Sequence, residues 1–316
     1  MIEHFGTTAE GQQVQAVTLR AGIASVRLLS FGAILQDFRL AGLPYSLTLG
    51  SQVLADYEGA MCYHGALIGP VANRISGASA VIDGQLHRFD DTQPGGITLH
   101  SGAAGTHRKH WTILEAGAAD VTFSVTLHDG EGGFPGTRHI TARFALSPPA
   151  TLRLTVEVAT NAPTPLNFAQ HSYWNLDGSA TWAGHSLRIP ADDFTPVDAA
   201  YVPTGEVKPV AGTDLDFRTL RQIAPGHPEM DTNFCLSNDR TSLREILTLR
   251  GASGVELTLA STEPGVQIYD GRPAYRGLAI EPQFWPDALA QPSFPQIVTA
   301  SGPVWRQVSE WRFCLP

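Results

Sequence analysis

The chain reads as strands. Leu152-Arg153-Leu154-Thr155-Val156-Glu157-Val158 alternates apolar and polar positions without a break, and so does Val121-Thr122-Phe123-Ser124-Val125-Thr126-Leu127. Val255-Glu256-Leu257-Thr258-Leu259 repeats the pattern. A period of two places alternate side chains on opposite faces, so each run predicts a strand with one buried and one wet face. Val81-Ile82-Asp83-Gly84-Gln85-Leu86 sets Asp-Gly between apolar pairs, which predicts a tight hairpin because that dipeptide accepts the positive φ such turns need. Gly265-Val266-Gln267-Ile268-Tyr269 and Leu278-Ala279-Ile280-Glu281 predict two further short strands, the second ended by Pro282. The helical period is scarce: Leu220-Arg221-Gln222-Ile223 predicts a single turn at most. The 31 glycines and 22 prolines are spread along the chain as turn residues, and neither a fixed repeat nor a linker-like run occurs. These features predict an all-β protein, a large antiparallel β-sandwich forming one domain over residues 1–316.

Composition narrows the function classes. Hydrophobic residues make up 43% and charged residues only 16%, enough apolar material for a core and too little charge for disorder. The net charge of −9 argues against non-specific nucleic-acid binding and against a basic membrane patch. The N-terminus, Met1-Ile2-Glu3-His4-Phe5-Gly6, lacks the basic and apolar regions of a signal peptide, and no stretch reads as a membrane span, so a cytoplasmic location is expected. Cys62, Cys235 and Cys314 are far apart and odd in number, which predicts free thiols rather than a disulfide framework or a zinc site.

Few residues stand out as chemistry. Of eleven histidines, most lie in polar or turn-like contexts. His100 follows Ile97-Thr98-Leu99 and leads into a glycine-containing loop. His171 sits in Gln170-His171-Ser172-Tyr173-Trp174-Asn175, where polar, amide and aromatic groups gather at a strand end. Glu281 follows a run that reads as buried. A carboxylate there loses hydration and rises in pKa unless paired, which marks it as an acid–base candidate; the competing reading is a structural salt bridge to an arginine such as Arg74. No Gly-x-Ser-x-Gly, His-Glu-x-x-His or phosphate-binding loop is present. His100, His107 and His110 fit no standard metal spacing, and the glycines of Asp129-Gly130-Glu131-Gly132-Gly133-Phe134-Pro135-Gly136 read as a mobile turn.

Eight motifs, in order along nearly the whole chain, resemble those of the aldose 1-epimerases, also called galactose mutarotases. Gly69-Pro70-Val71-Ala72-Asn73-Arg74-Ile75 is similar to the family's Gly-Arg-x-Ala-Asn-Arg-Ile, and Leu99-His100-Ser101-Gly102 to Leu-His-Gly-Gly. His171-Ser172-Tyr173-Trp174-Asn175-Leu176 resembles His-x-Tyr-Phe-Asn-Leu. Pro203-Thr204-Gly205-Glu206, Asp214-Leu215-Asp216-Phe217-Arg218, Asp231-Thr232-Asn233-Phe234 and Val266-Gln267-Ile268-Tyr269 follow in the family's order. Glu281-Pro282-Gln283 with Pro286-Asp287 resembles Glu-x-Gln-x-x-Pro-Asp. The resemblance implies the mutarotase supersandwich with the sugar in a cleft on one sheet. It implies Glu281 as general base and His171 as general acid, with His100 beside them. It implies Arg74, Asn73, Asp231 and Gln267 as sugar contacts, a monosaccharide substrate (aldohexose or aldopentose), and neither cofactor nor metal. Trp174 and Tyr269 are candidate stacking faces for the sugar's C–H surface, with a place in the core as the equal alternative for each. Three departures bear on the preferred sugar: Pro70 stands where the family has arginine, Ser101 where it has glycine, and the stretch from Gln267 to Glu281 is short. The low charge and absence of a basic cluster argue against a phosphorylated sugar. A glycosidase requires two carboxylates flanking a bond, and only Asp231 offers itself as the second. A non-catalytic carbohydrate-binding protein would not need both Glu281 and His171.

Overall fold

The computed structural model describes residues Met1–Pro316. Antiparallel ladders dominate. The largest sheet has nine strands, in the spatial order Thr112–Ala116, Asp120–Leu127, Arg138–Ser147, Thr151–Thr160, Trp305–Cys314, Glu256–Ser261, Arg244–Arg250, Ser186–Arg188 and Arg221–Gln222. A four-stranded sheet covers Ile2–Leu40. A six-stranded sheet runs in the order Tyr173–Trp174, Leu278–Gln283, Gly265–Tyr269, Asp231–Cys235, Asp193–Thr195 and Lys208–Pro209.

The alternation read from the sequence is the packing code of these sheets. In Thr151–Thr160, Leu152, Leu154, Val156 and Val158 are buried while Arg153 and Glu157 are exposed. The buried positions meet Val17, Leu19 and Val26 of the four-stranded sheet and Phe234, Val266, Ile268 and Ile280 of the six-stranded one in a single core. Burying such side chains supplies about 1.5–3 kcal/mol each, which fixes the register because a one-residue slip would turn each apolar row to solvent. The Asp83-Gly84 hairpin forms as expected between Ser79–Ile82 and Gln85–Arg88, with φ of 49° and 75° at the two turn residues. No helix is long and apolar enough to cross a membrane.

Three local expectations are corrected. Arg221–Gln222 is an edge strand paired with Ser186–Leu187, not a helical turn; a four-residue segment has too few internal hydrogen bonds to nucleate a helix, and the neighbouring strand offers a ladder instead. Pro282 does not end its strand, which continues to Gln283. The neighbour on its far side pairs only with Leu278 and Ala279, so the missing proline N–H breaks no ladder bond there. The segment Asp129–Gly136 is a turn, but a tethered one: the Gly136 N–H donates to Asp129 Oδ1 at 2.6 Å, and Phe134 is fully buried. The one α-helix, Leu54–Glu58, had no signal in the sequence period.

Trp174 belongs to the core. Its ring is completely buried, with centroids 6.1 Å from Phe38 and 5.4 Å from Phe313, so it cannot serve as a stacking face for a sugar. Trp174→Ala is expected to lower unfolding free energy by about 3–5 kcal/mol while the folded fraction keeps its KM. Urea denaturation and kinetics on the same sample check this; a raised KM at unchanged stability would return Trp174 to the site.

Candidate active site

The register of the six-stranded sheet assembles the site. Asn233 pairs with Gln267 and Gln267 with Glu281, and cross-strand partners share a face. Two residues along, the row Asp231, Tyr269, Ala279 and Tyr173 lies on the same face. The opposite face carries Phe234, Val266, Ile268 and Ile280 into the core. The rest of the site comes from segments crossing the face that carries Glu281: Arg74 and Leu99, paired on two short strands, with Asn73 and His100 beside them, and the loop residues Tyr63, Tyr201 and Arg272. Together they enclose a cavity of roughly 360 Å³, at the small end of the range for ligand pockets.

At its floor His171 Nε2 stands 3.5 Å from Glu281 Oε1, both side chains almost wholly buried. Burial raises Glu281 to about 8, with Asp231 adding to the rise and Arg74 opposing it. Burial lowers His171 to about 3. An imidazole titrating near neutrality, expected for an exchangeable acid, is therefore not what the site holds. Both directions favour the uncharged pair, with the proton on the Glu281 carboxyl and the imidazole neutral. Glu281 Oε2 and His171 Nδ1 have no protein partner.

His100 is locked to Asn73 from both sides. The Asn73 N–H donates to His100 Nδ1 at 3.1 Å, and the His100 N–H donates to the Asn73 carbonyl at 3.0 Å. Both residues have positive φ, 66° for Asn73 and 51° for His100, a region asparagine tolerates better than most. Because Nδ1 accepts, the neutral ring carries its proton on Nε2 and can donate from there. Burial holds His100 well below the usual imidazole range, and the neighbouring His171 adds to that effect. Ser101, also at positive φ, bonds the Val71 backbone: its hydroxyl accepts from Val71 N–H at 2.8 Å and donates to Val71 O at 2.9 Å. It braces the segment leading to Asn73 and does not line the cavity.

Asp231 stands between Arg74 and Gln267. Arg74 Nη2 is 3.5 Å from Asp231 Oδ2, and Gln267 Nε2 donates to Asp231 Oδ1 at 2.6 Å. Burial nonetheless raises the Asp231 carboxyl above its ordinary range. Arg74 thus pairs with Asp231 rather than Glu281, against the salt-bridge alternative. Gln267 does not line the cavity itself; it holds Asp231 from behind, with its Oε1 buried and unpartnered.

Of the residues singled out in the sequence, Glu281, His171, His100, Arg74, Asn73, Asp231 and Tyr269 all line this one cavity. Tyr173, Tyr63, Tyr201 and Arg272 were not foreseen. Tyr173 had a signal: counting by two from His171 reaches Tyr173, whose ring lies 5.1 Å from the imidazole, and skips Trp174. Tyr63, 4.7 Å from His100 and 5.9 Å from His171, had none. Pro70 is buried off the cavity, and its carbonyl accepts from Asn167 N–H at 2.7 Å, so its link to sugar preference has no contact behind it. The short stretch after Gln267 does reach the cavity, through Arg272. No group of three or more His, Cys, Asp and Glu side chains is placed to hold a metal ion, and the three cysteines are unpaired.

The family model described as aldose 1-epimerase matches residues 15–312. The chain is 31% identical to galactose mutarotase of Homo sapiens over 330 residues, covering 96% of this chain and 95% of that protein. It is 29% identical to aldose 1-epimerase of Escherichia coli over 342 residues, covering 96% of each. Among solved structures, an aldose epimerase homologue from C. elegans superposes with a TM-score of 0.88 at 26% identity, covering 95% of this chain and 98% of that one. The sandwich and its face of acid–base and sugar-compatible groups define a mutarotase-like protein. The chain belongs to the aldose 1-epimerase family.

The pKa displacement of Glu281 has a stability consequence. With a folded value near 8 against an ordinary 4.5, the unfolded chain ionises first as pH rises. The fold therefore loses stability progressively from about 4.5 through about 8. Glu281→Gln removes this dependence. Its stability relative to the parent is expected to improve by on the order of a few kcal/mol from acid to alkaline pH, measured by denaturant unfolding at several pH values. A difference independent of pH would show that Glu281 titrates normally.

Proposed function

We propose that the protein interconverts the α and β anomers of a free aldose, an aldohexose or aldopentose, with Glu281 and His171 moving the protons. The observation that carries this reading is the buried Glu281–His171 contact, two titratable groups 3.5 Å apart and displaced in opposite directions at the floor of a cavity of sugar size. Opening a pyranose requires removal of the proton on the C1 hydroxyl and delivery of one to the ring oxygen. Closing it on the other face requires the reverse. A pair with one proton supplies an acceptor and a donor at once.

With that proton on His171, Glu281 takes the C1 hydroxyl proton and His171 protonates the ring oxygen; after C1–C2 rotation both transfers run backwards. Moving the proton from Glu281 to His171 leaves the pair's net charge unchanged but turns two neutral groups into an ion pair, and the attraction between them across 3.5 Å offsets part of the cost of charging both in a buried place. Arg74 favours the ionised Glu281 this step needs. His100 donates from Nε2 to the ring oxygen or a neighbouring hydroxyl. Asp231, Arg74 and Asn73 hold further hydroxyls, and Gln267 holds Asp231. Tyr269 and Tyr173 face the sugar's C–H surface. The acidic net charge argues against nucleic acid or an anionic membrane surface as a partner.

Glu281→Gln and His171→Asn are each expected to lower kcat by roughly 10²–10⁴-fold, the usual contribution of positioned acid–base groups, with KM changed far less. Polarimetry of freshly dissolved α-D-glucose, α-D-galactose, D-xylose and L-arabinose checks this. Near-normal kcat in folded Glu281→Gln would end the assignment.

The pH profile follows from the same pair. For the free enzyme, kcat/KM is expected to fall as pH rises through about 8, where Glu281 gives up the shared proton. On the acid side it is expected to hold until pH approaches about 3, where His171 takes a second. An acid limb centred near 6.5, the ordinary histidine value, would contradict it.

A further inference from the structure

The motif Pro203-Thr204-Gly205 and the pair Pro286-Asp287 stand outside the proton-transfer pair, yet the structure joins them to Arg74. Tyr201 lines the cavity from a turn just before Pro203. That turn is closed on itself: Asp198 Oδ1 accepts from Ala200 N–H at 2.8 Å and Val202 N–H at 3.0 Å. The Tyr201 N–H donates to the Asp198 carbonyl at 3.0 Å. Tyr201 itself has φ of 59°, a strained position for a bulky residue and one that marks functional sites more often than chance loops. Its ring lies 5.4 Å from the Arg74 guanidinium and 5.3 Å from that of Arg272, and its hydroxyl accepts from Arg272 Nη1 at 3.3 Å.

The turn and Arg74 share one anchor. Gln291 Nε2 donates to the Pro203 carbonyl at 3.3 Å and to Asp287 Oδ2 at 3.1 Å. Asp287 in turn accepts from the Ser76 N–H at 2.8 Å, and its own N–H donates to the Arg74 carbonyl at 3.2 Å. Gly205 has φ of 86°, which favours glycine, and a Cβ there would come within 2.6 Å of Gln291 Oε1 and displace that side chain. The turn bearing Tyr201 and the strand bearing Arg74 are thereby tied through two side chains.

We propose that Tyr201 is a specificity-determining residue, an aromatic wall held by Gln291 and Asp287 that fixes the Arg74 guanidinium against Asp231 and so sets which ring-hydroxyl configuration the cavity accepts. The proposal deepens the mutarotase reading and rests on it. The chemistry at C1 and the ring oxygen belongs to Glu281 and His171. Tyr201 acts at the hydroxyls held by the Arg74–Asp231 pair, so the sugars it separates are epimers differing at one ring hydroxyl.

The test is polarimetric kcat and KM for α-D-glucose, α-D-galactose and α-D-mannose. Calorimetric affinity for the same sugars is measured on the parent chain, Tyr201→Phe, Tyr201→Ala and Gln291→Leu. Tyr201→Ala is expected to raise KM and Kd roughly tenfold, the scale of a partly desolvated cation–π contact. Its kcat at saturation should fall less than about threefold, and the spread of kcat/KM among the epimers should narrow. Tyr201→Phe keeps the ring and loses only the Arg272 hydrogen bond, so its shift is in the same direction but smaller; Gln291→Leu, which loosens the turn, does likewise. Unchanged KM, Kd and spread in Tyr201→Ala overturns the proposal, as does a fall in kcat at constant KM. A Tyr201→Phe loss equal to that of Tyr201→Ala overturns the role of the ring. A parent chain that binds these sugars without turning any over would refute the mutarotase reading instead, and the affinity comparison would still decide the role of Tyr201.

Discussion

The structure depends on a carboxyl and an imidazole buried against each other at the floor of a polar cavity. The side chains of Glu281 and His171 are almost wholly withdrawn from solvent, and burying an isolated charge is costly. The least costly arrangement is the uncharged one, with the proton on the carboxyl and the ring neutral. This is a poor bargain for stability, since both groups resist the ionisation that the unfolded chain allows them. It is a useful one for chemistry, because two neutral partners separated by one proton transfer can present either an acid or a base to whatever lies above them.

The remainder of the fold serves that contact. The six-stranded sheet must hold Glu281 beside Gln267 and Asn233, and the apolar row on its other face fixes the register with Ile268 and Ile280. Arg74 reaches the same floor from the start of a short strand whose approach is braced by Asn73, His100 and Ser101. Its pairing with Asp231 rather than Glu281 matters physically. A direct ion pair would hold Glu281 ionised permanently, whereas a guanidinium one residue away lowers the cost of ionising it without abolishing its proton.

Much of this was legible in the sequence, for reasons that can be named. Strands with one buried face write their register as strict alternation, so Val121–Leu127 and Leu152–Val158 declared themselves, as did the Asp83-Gly84 turn. Seven of the cavity's residues were legible because they lie in short ordered motifs that resemble those of a family. What was hidden is what contacts decide. The Arg221–Gln222 strand exists because Ser186–Leu187 lies beside it. Tyr63, Tyr201 and Arg272 come from separate loops that meet only in the folded chain. Strand period separates Tyr173, two residues from His171 and on its face, from Trp174, which points the other way, whereas aromatic character alone does not distinguish the two rings. The His171 shift was not available at all, since an imidazole's pKa is set by burial and neighbours that no local pattern records.

The account turns on where one proton resides, and infrared difference spectroscopy of the parent chain against Glu281→Gln reads it directly. Near pH 6 the account expects a protonated-carboxyl C=O band that is present in the parent, absent in the variant, and lost as pH is raised through about 8. A carboxylate signal from Glu281 already present near pH 6 would contradict it, for the pair would then hold its proton on His171 or not at all.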